Sequence, residues 1–250
     1  MIRIKRSAVP PPSLAHQKKL KSGKYSSEDV KCQLNDDFHG KCYICEKILT
    51  DRHVEHLRPH YDAEFPGLND KNEVKESEYW NRKFDWYNLF PSCGHCNELK
   101  GTKECIIDCC RMDPEQVIRQ KMSASEVFVS AYDEDDLFAV ETAKLMEECF
   151  KTKGTKHLDA LARTKMLKKA VDFMRKEIKA YIATKNSGGN LSERYNTLRD
   201  SVREEEEFAG FLRTEIRDVL DSCPELAPLV AFEELNEAIG GEHDRTEVSV

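Results

Sequence analysis

The chain has 250 residues, of which 39% are hydrophobic and 34% charged, with 11 Gly and 9 Pro. This balance supports a sizeable core, in one domain or two, and excludes a disordered or low-complexity chain. No apolar run approaches the roughly 18 residues that cross a bilayer. The opening Met1-Ile2-Arg3-Ile4-Lys5-Arg6 has no apolar stretch behind its cations, so neither a membrane span nor a signal peptide is expected.

The formal net charge of −7 argues against a nucleic-acid protein only until it is divided by region. Residues 1–31 carry eight Lys/Arg against two Asp/Glu, a net +6, and residues 186–250 carry six against sixteen, a net −10. A basic segment favours phosphate, whereas an acidic one suits solvated or partner-facing surface. Ten cysteines in a chain without a secretory signal point to metal binding in a reducing compartment, and so to the cytoplasm.

Taken in order, residues 1–25 are expected to be extended or irregular around Pro10-Pro11-Pro12, with a basic stretch from Lys18 to Lys24. Ser26 and Asp29 resemble a capping box, and Val30, Leu34 and Phe38 recur at helical spacing up to Gly40. Residues 60–85 show no periodicity and read as a long insertion. Asn97 to Lys100 reads as a short helix ended by Gly101, and Asp113-Pro114-Glu115 as a helix start. Alternation from Glu126 to Tyr132, an acidic turn at Asp133 to Asp136 and the apolar Leu137 to Val140 predict a hairpin. Everything after Glu141 reads as helical. Leu158, Leu161, Leu167, Val171, Met174, Ile178 and Tyr181 mark one face of a helix over 157–184, which Asn186-Ser187-Gly188-Gly189 stops. One long helix or two shorter ones follow over 191–219. Pro224 starts a last one ending at Gly240-Gly241, before a tail expected to be disordered. The fold class is therefore α+β, mostly α, with a boundary near residue 113: a metal-bearing module at 1–113 and a helical, acidic domain at 114–250.

The chemistry is concentrated between Cys42 and Gly101. Cys42-Tyr43-Ile44-Cys45 and Cys93-Gly94-His95-Cys96 are two Cys-x-x-Cys knuckles, and four thiolates from two such turns make the tetrahedral set that Zn²⁺ takes in structural sites. Cys32, Cys149 and Cys223 stand alone and are expected to be core residues. Cys105, Cys109 and Cys110 form a tighter group, open between a second metal site and ordinary buried thiols. His95 reads as a surface residue of its knuckle. Between the knuckles lies Glu55-His56. Histidine titrates near neutrality and suits a general base, and a carboxylate is a hard ligand for Mg²⁺. Neighbours on a strand face opposite ways, so the pair can share one site only where the strand bends or ends, and Pro59 just beyond fits an ending.

His53-Val54-Glu55-His56-Leu57-Arg58-Pro59, Tyr87-Asn88-Leu89 and Cys93-Gly94-His95-Cys96-Asn97-Glu98-Leu99-Lys100-Gly101 together resemble the HNH endonucleases, a ββα-metal fold. The resemblance covers about residues 40–101. It implies His56 as general base, Glu55 and Asn97 as ligands of a catalytic Mg²⁺ or Mn²⁺, and Asn88 as the residue holding the loop that orients His56. Glu55 stands where many members have Asp, and Asn97 where the family name places a second His. His53 is left between metal binding, phosphate contact and orientation of the site. Arg58, Lys100 and the basic N-terminal segment are candidates for contacts to DNA phosphates. A wider resemblance, carried by the opening residues and by Ile106-Ile107-Asp108-Cys109-Cys110-Arg111-Met112-Asp113-Pro114-Glu115, is to the HNH subunit of bacterial Septu anti-phage systems and their retron-associated relatives. The resemblance implies a role in phage defence beside an ABC/SMC-type ATPase subunit. This chain has no phosphate-binding Gly-x-x-x-x-Gly-Lys-Ser/Thr loop, so any nucleotide hydrolysis is expected to come from a partner. Residues 114–250 are then expected to dock that partner, with Glu204 to Glu207 as a candidate contact. The competing expectation is a zinc-bearing, non-catalytic nucleic-acid-binding or scaffold subunit.

Overall fold

A computed structural model describes residues 1–20, 24–60, 78–151 and 157–232. The tail beyond 232 and most of the insertion at 60–85 therefore lie outside the described residues. The fold is α+β and mostly helical, with two small antiparallel hairpins.

The N-terminal segment departs from the expected basic arm. Met1, Ile2, Ile4 and Arg6 are buried, and Ile4 N–H bonds to the Cys109 carbonyl at 2.9 Å. The Arg6 guanidinium stacks on Trp86 at 4.2 Å and donates to the Leu89 carbonyl, so it braces the core rather than meeting phosphate. Helix α1, Pro12–Lys19, replaces the irregular stretch predicted there. The proline run does not forbid it, because Pro12 sits in the first turn, where the missing N–H has no intrahelical partner to lose. Helix α2, Glu28–Asp37, starts one residue later than the capping-box reading, at Ser27, whose side chain makes no cap bond. Its apolar stripe is as expected: Val30, Leu34 and Phe38 are all buried.

A knuckle turn over 41–48 leads to β1, His53–His56, which pairs antiparallel with β2, Leu89–Ser92, in the register Glu55↔Phe90 and His56↔Leu89. Helix α3, Glu78–Lys83, and a 3₁₀ turn at Trp86–Asn88 feed β2. Helix α4, Gly94–Lys100, follows directly and ends at Gly101, whose φ of +51° favours glycine. This β1–β2–α4 unit is the ββα arrangement.

The second hairpin corrects the predicted one. Strand β4, Glu126–Ala131, pairs backward with β3, Ile118–Ser123, rather than forward with 137–140. Asp113-Pro114-Glu115 forms only a 3₁₀ turn before β3. The acidic turn instead caps a helix: Asp136 Oδ1 accepts the Ala139 N–H at 3.1 Å, and Leu137 to Val140 become the first turn of α5, Leu137–Lys151.

Helix α6, His157–Asn186, buries Leu167, Val171, Met174, Ile178 and Tyr181 but leaves Leu158 73% exposed. The expected stripe thus begins lower on the helix, and Leu161 is also exposed. The 191–219 region is two helices, α7, Ser192–Ser201, and α8, Ala209–Arg217, and a 3₁₀ stretch at Pro224–Leu229 follows.

One hydrophobic cluster runs from Met1 through the ββα unit to Val230. The Glu204 to Glu207 segment is tied to the first knuckle through its backbone and one carboxylate, while Glu205 and Glu206 keep their side chains exposed. Lys41 Nζ bonds the carbonyls of Glu204 and Glu206, the latter at 2.9 Å, and Glu207 Oε1 accepts the Ile48 N–H at 2.7 Å. Among the described residues no helix is long and apolar enough to cross a membrane.

Candidate metal centre and the His56 site

The four knuckle cysteines converge. One ligand atom from each of Cys42, Cys45, Cys93 and Cys96 lies within 4.8 Å of the others, and all four residues are buried. Local structure fixes each pair. Glu46 N–H returns to the Cys42 carbonyl at 2.9 Å, closing the first turn with Glu46 at φ +58°. That backbone is unusual for glutamate. Its carboxylate is anchored by the Met1 ammonium at 3.2 Å and the Gly210 N–H at 3.1 Å. In the second knuckle Cys93 caps α4 and Cys96 lies in its first turn. Burial holds the Cys42 and Cys96 thiols well above their ordinary range, while hydrogen bonds from Cys42 and Cys45 pull Cys93 down. Four thiols sharing a dry site, with no disulfide among them, match the donor set of a closed tetrahedral Zn²⁺ site.

Three residues pack beside the cluster: Cys149, buried as expected, and His95 and Arg163, which were not expected there. His95 is buried, not on the surface, and its Nε2 lies 3.2 Å from the Cys149 carbonyl. Cys149 Sγ lies 3.3 Å from Cys96 Sγ. Arg163, on α6, donates to the Cys149 carbonyl at 2.7 Å and to Cys93 Sγ at 3.6 Å. Of the remaining cysteines, Cys223 is buried as expected but Cys32 is exposed. Its place on α2 is off the Val30–Leu34 stripe. Among the described residues the only group of metal-ligating side chains is the Cys₄ set, so Cys105, Cys109 and Cys110 form no second site.

His56 closes β1 and is buried under two rings, Tyr25 at 4.4 Å and His60 at 4.0 Å between centroids. Its Nε2 lies 3.1 Å from the Lys83 carbonyl oxygen. A carbonyl can only accept, so Nε2 carries the proton and Nδ1 keeps the lone pair. Burial first, and His60 second, push the His56 pKa down to about 3, so the ring is neutral at pH 7. Asn88 brackets the residue two beyond: its Oδ1 accepts the Arg58 N–H at 2.7 Å and its Nδ2 donates to the Arg58 carbonyl at 2.9 Å.

Glu55 faces the other side of the strand, toward α4, so β1 does not make the expected bend that would bring Glu55 and His56 into one site. There Lys100, fully buried and not available to DNA, pairs with Glu55 Oε1 at 3.0 Å. Burial raises the Glu55 pKa and Lys100 opposes that. Arg58 is likewise engaged internally, donating to the Ile106 carbonyl at 2.9 Å with its guanidinium 5.1 Å from the Phe138 ring centre. His53 lies at the start of β1 and pairs with Asp51 at 2.9 Å, both about half exposed. A Cβ on Gly94 would stand 3.4 Å from His53 Nε2, so the start of α4 lies beside His53 and its end reaches Glu55. Asn97 is one helical turn from Gly94 and one from Lys100, and half-buried, which places it along the same face. Glu55 and Asn97 offer one carboxylate and one amide oxygen, donors that Mg²⁺ accepts, with water completing its shell. Lys100 already supplies a cation at that carboxylate.

Fold and site together define a buried Cys₄ cluster able to hold a metal, built into a small hairpin–helix unit. No family model, curated protein or solved structure matches the chain.

Proposed function

We propose that the chain is a zinc-stapled ββα-metal module that hydrolyses phosphodiester bonds in DNA, in the manner of the HNH endonucleases its motifs resemble. The observation that supports this most is the Lys83 carbonyl behind His56, which leaves Nδ1 as the proton-accepting atom. His56 Nδ1 would take the proton of an attacking water, a task that burial opposes by pushing its pKa down to about 3, and Asn88 holds the loop beside it. Glu55 and Asn97 would hold the divalent ion, which would neutralise charge on the phosphate and leaving oxygen. Because Glu55 and His56 face opposite sides of β1, hydrolysis requires β1 to bend so that ion and base meet one phosphate. With Arg58 and Lys100 committed internally, phosphate contacts fall to exposed lysines such as Lys165, Lys169, Lys176 and Lys179 on one face of α6. The resemblance to Septu subunits adds an ABC/SMC-type ATPase partner, for which the exposed Glu205 and Glu206 side chains stay a candidate contact.

The Glu55–Lys100 pair favours a second reading, a zinc-bearing nucleic-acid-binding or scaffold subunit without hydrolysis. A carboxylate already neutralised has less to gain from Mg²⁺, and the Cys₄ centre and ββα frame serve both readings equally. Divalent-ion binding separates them. Mn²⁺ titrated into the zinc-loaded full chain, followed by the loss of the free-ion paramagnetic resonance signal, should show one bound ion. Glu55→Gln should abolish it and Lys100→Met should tighten it. If neither the wild type nor Lys100→Met binds Mn²⁺, the scaffold reading stands.

A further inference from the structure

Zn²⁺ held by four thiolates carries two net negative charges. Such a charge is costly to bury unless hydrogen-bond donors or cations face the sulfurs. In this chain they come from outside the ββα unit. Arg163 is 4% exposed, and its guanidinium spans two sites, donating to Cys93 Sγ at 3.6 Å and to the Cys149 carbonyl at 2.7 Å. Cys149, fully buried near the end of α5, has its sulfur 3.3 Å from Cys96 Sγ. With Cys96 as a thiolate, Cys149 is the S–H donor. His95 ties the same carbonyl back to α4.

We propose that Arg163 and Cys149 belong to the metal centre: Arg163 as its buried counter-cation on Cys93, Cys149 as the thiol donor to Cys96. The metal site is then the joint that holds α5 and α6 to the ββα unit, and metal occupancy and helix docking are coupled. This rests on the zinc reading of the Cys₄ cluster but not on hydrolysis. Both are positioning residues, because neither supplies a bond to the ion. Their effect is to set a buried cation and an S–H group against sulfurs that bound zinc would leave negatively charged. Outer partners of metal ligands commonly alter metal affinity by about 10–100-fold.

The test uses the zinc-loaded full chain and measures zinc transfer to excess chelator, with the absorption of the Co²⁺-substituted protein as a second readout. Arg163→Met, which keeps the bulk and removes the charge, should release zinc about 10–100-fold faster. Arg163→Lys, which keeps the charge, should stay closer to wild type than the Met variant. Cys149→Ala should shift the sulfur-to-cobalt charge-transfer band without changing the ligand count. A packing role alone would reverse the order, with Met matching wild type and Lys failing, and that order overturns the proposal. If Arg163→Met does not fold, a Lys variant that loses zinc as fast as a ligand mutant overturns it equally. Wild-type protein that binds no zinc would instead refute the Cys₄ reading itself.

Discussion

Cys93→Ser should reduce zinc from about one per chain to almost none and lower the melting temperature by at least about 10 °C. The expected size follows from how little else holds the ββα unit. Strands β1 and β2 have four residues each, and a two-stranded sheet of that length is marginal in water. The two knuckles are far apart in sequence, so the metal closes a long loop as well as filling a buried site. Structural zinc contributes about 10–16 kcal/mol in isolated fingers, comparable with the ~5–15 kcal/mol net stability of a whole domain. Here the unit shares its core with α5, α6 and α8, so part of the fold survives metal loss. Calorimetry with and without chelator checks this. A chelated protein that melts as the zinc form does would remove the structural role.

The second large effect is expected at His56. His56→Ala should lower phosphodiester cleavage by about 10²- to 10⁴-fold, the usual contribution of a general base, while leaving zinc content unchanged. The separation is physical: His56 lies on the opposite face of β1 from Glu55 and contacts Lys83, Tyr25 and His60 rather than the cysteines. Removing the ring leaves a cavity beneath Tyr25 and His60, so the variant must be compared at matched folded fraction. Zinc analysis and near-ultraviolet dichroism on the same sample supply that control.

The metal centre was legible because Cys-x-x-Cys is a local motif whose spacing is itself the constraint. The α2 stripe was legible for the same reason, since Val30, Leu34 and Phe38 repeat at the helical period. What failed depended on partners distant in sequence or on ambiguous local signals. Asp133 to Asp136 could be a hairpin turn or a helix cap, and the Ala139 N–H decided for the cap. The run Pro10-Pro11-Pro12 carries the signal of a helix breaker, yet Pro12 sits in the first turn of α1, where proline starts a helix.

At the site, Lys100 and Arg58 are expected to contact phosphate only because the stretch around them resembles HNH endonucleases. Nothing local announced that Glu55 and the Ile106 carbonyl would take them first. His95 and Arg163 were invisible for a related reason: their roles exist only once α5 and α6 lie against the knuckle. The carbonyls and one carboxylate of the Glu204 to Glu207 run are bonded to the segment that carries the first knuckle.

The most direct measurement is cleavage of supercoiled plasmid by the zinc-loaded full chain with Mn²⁺ or Mg²⁺, run beside His56→Ala and an EDTA control. Cleavage by the wild type that needs the divalent ion and is lost in a zinc-replete His56→Ala protein is the predicted result. Cleavage at the same rate by that variant, or none by wild-type protein shown to bind Mn²⁺, would contradict the nuclease assignment and leave a zinc-bearing scaffold.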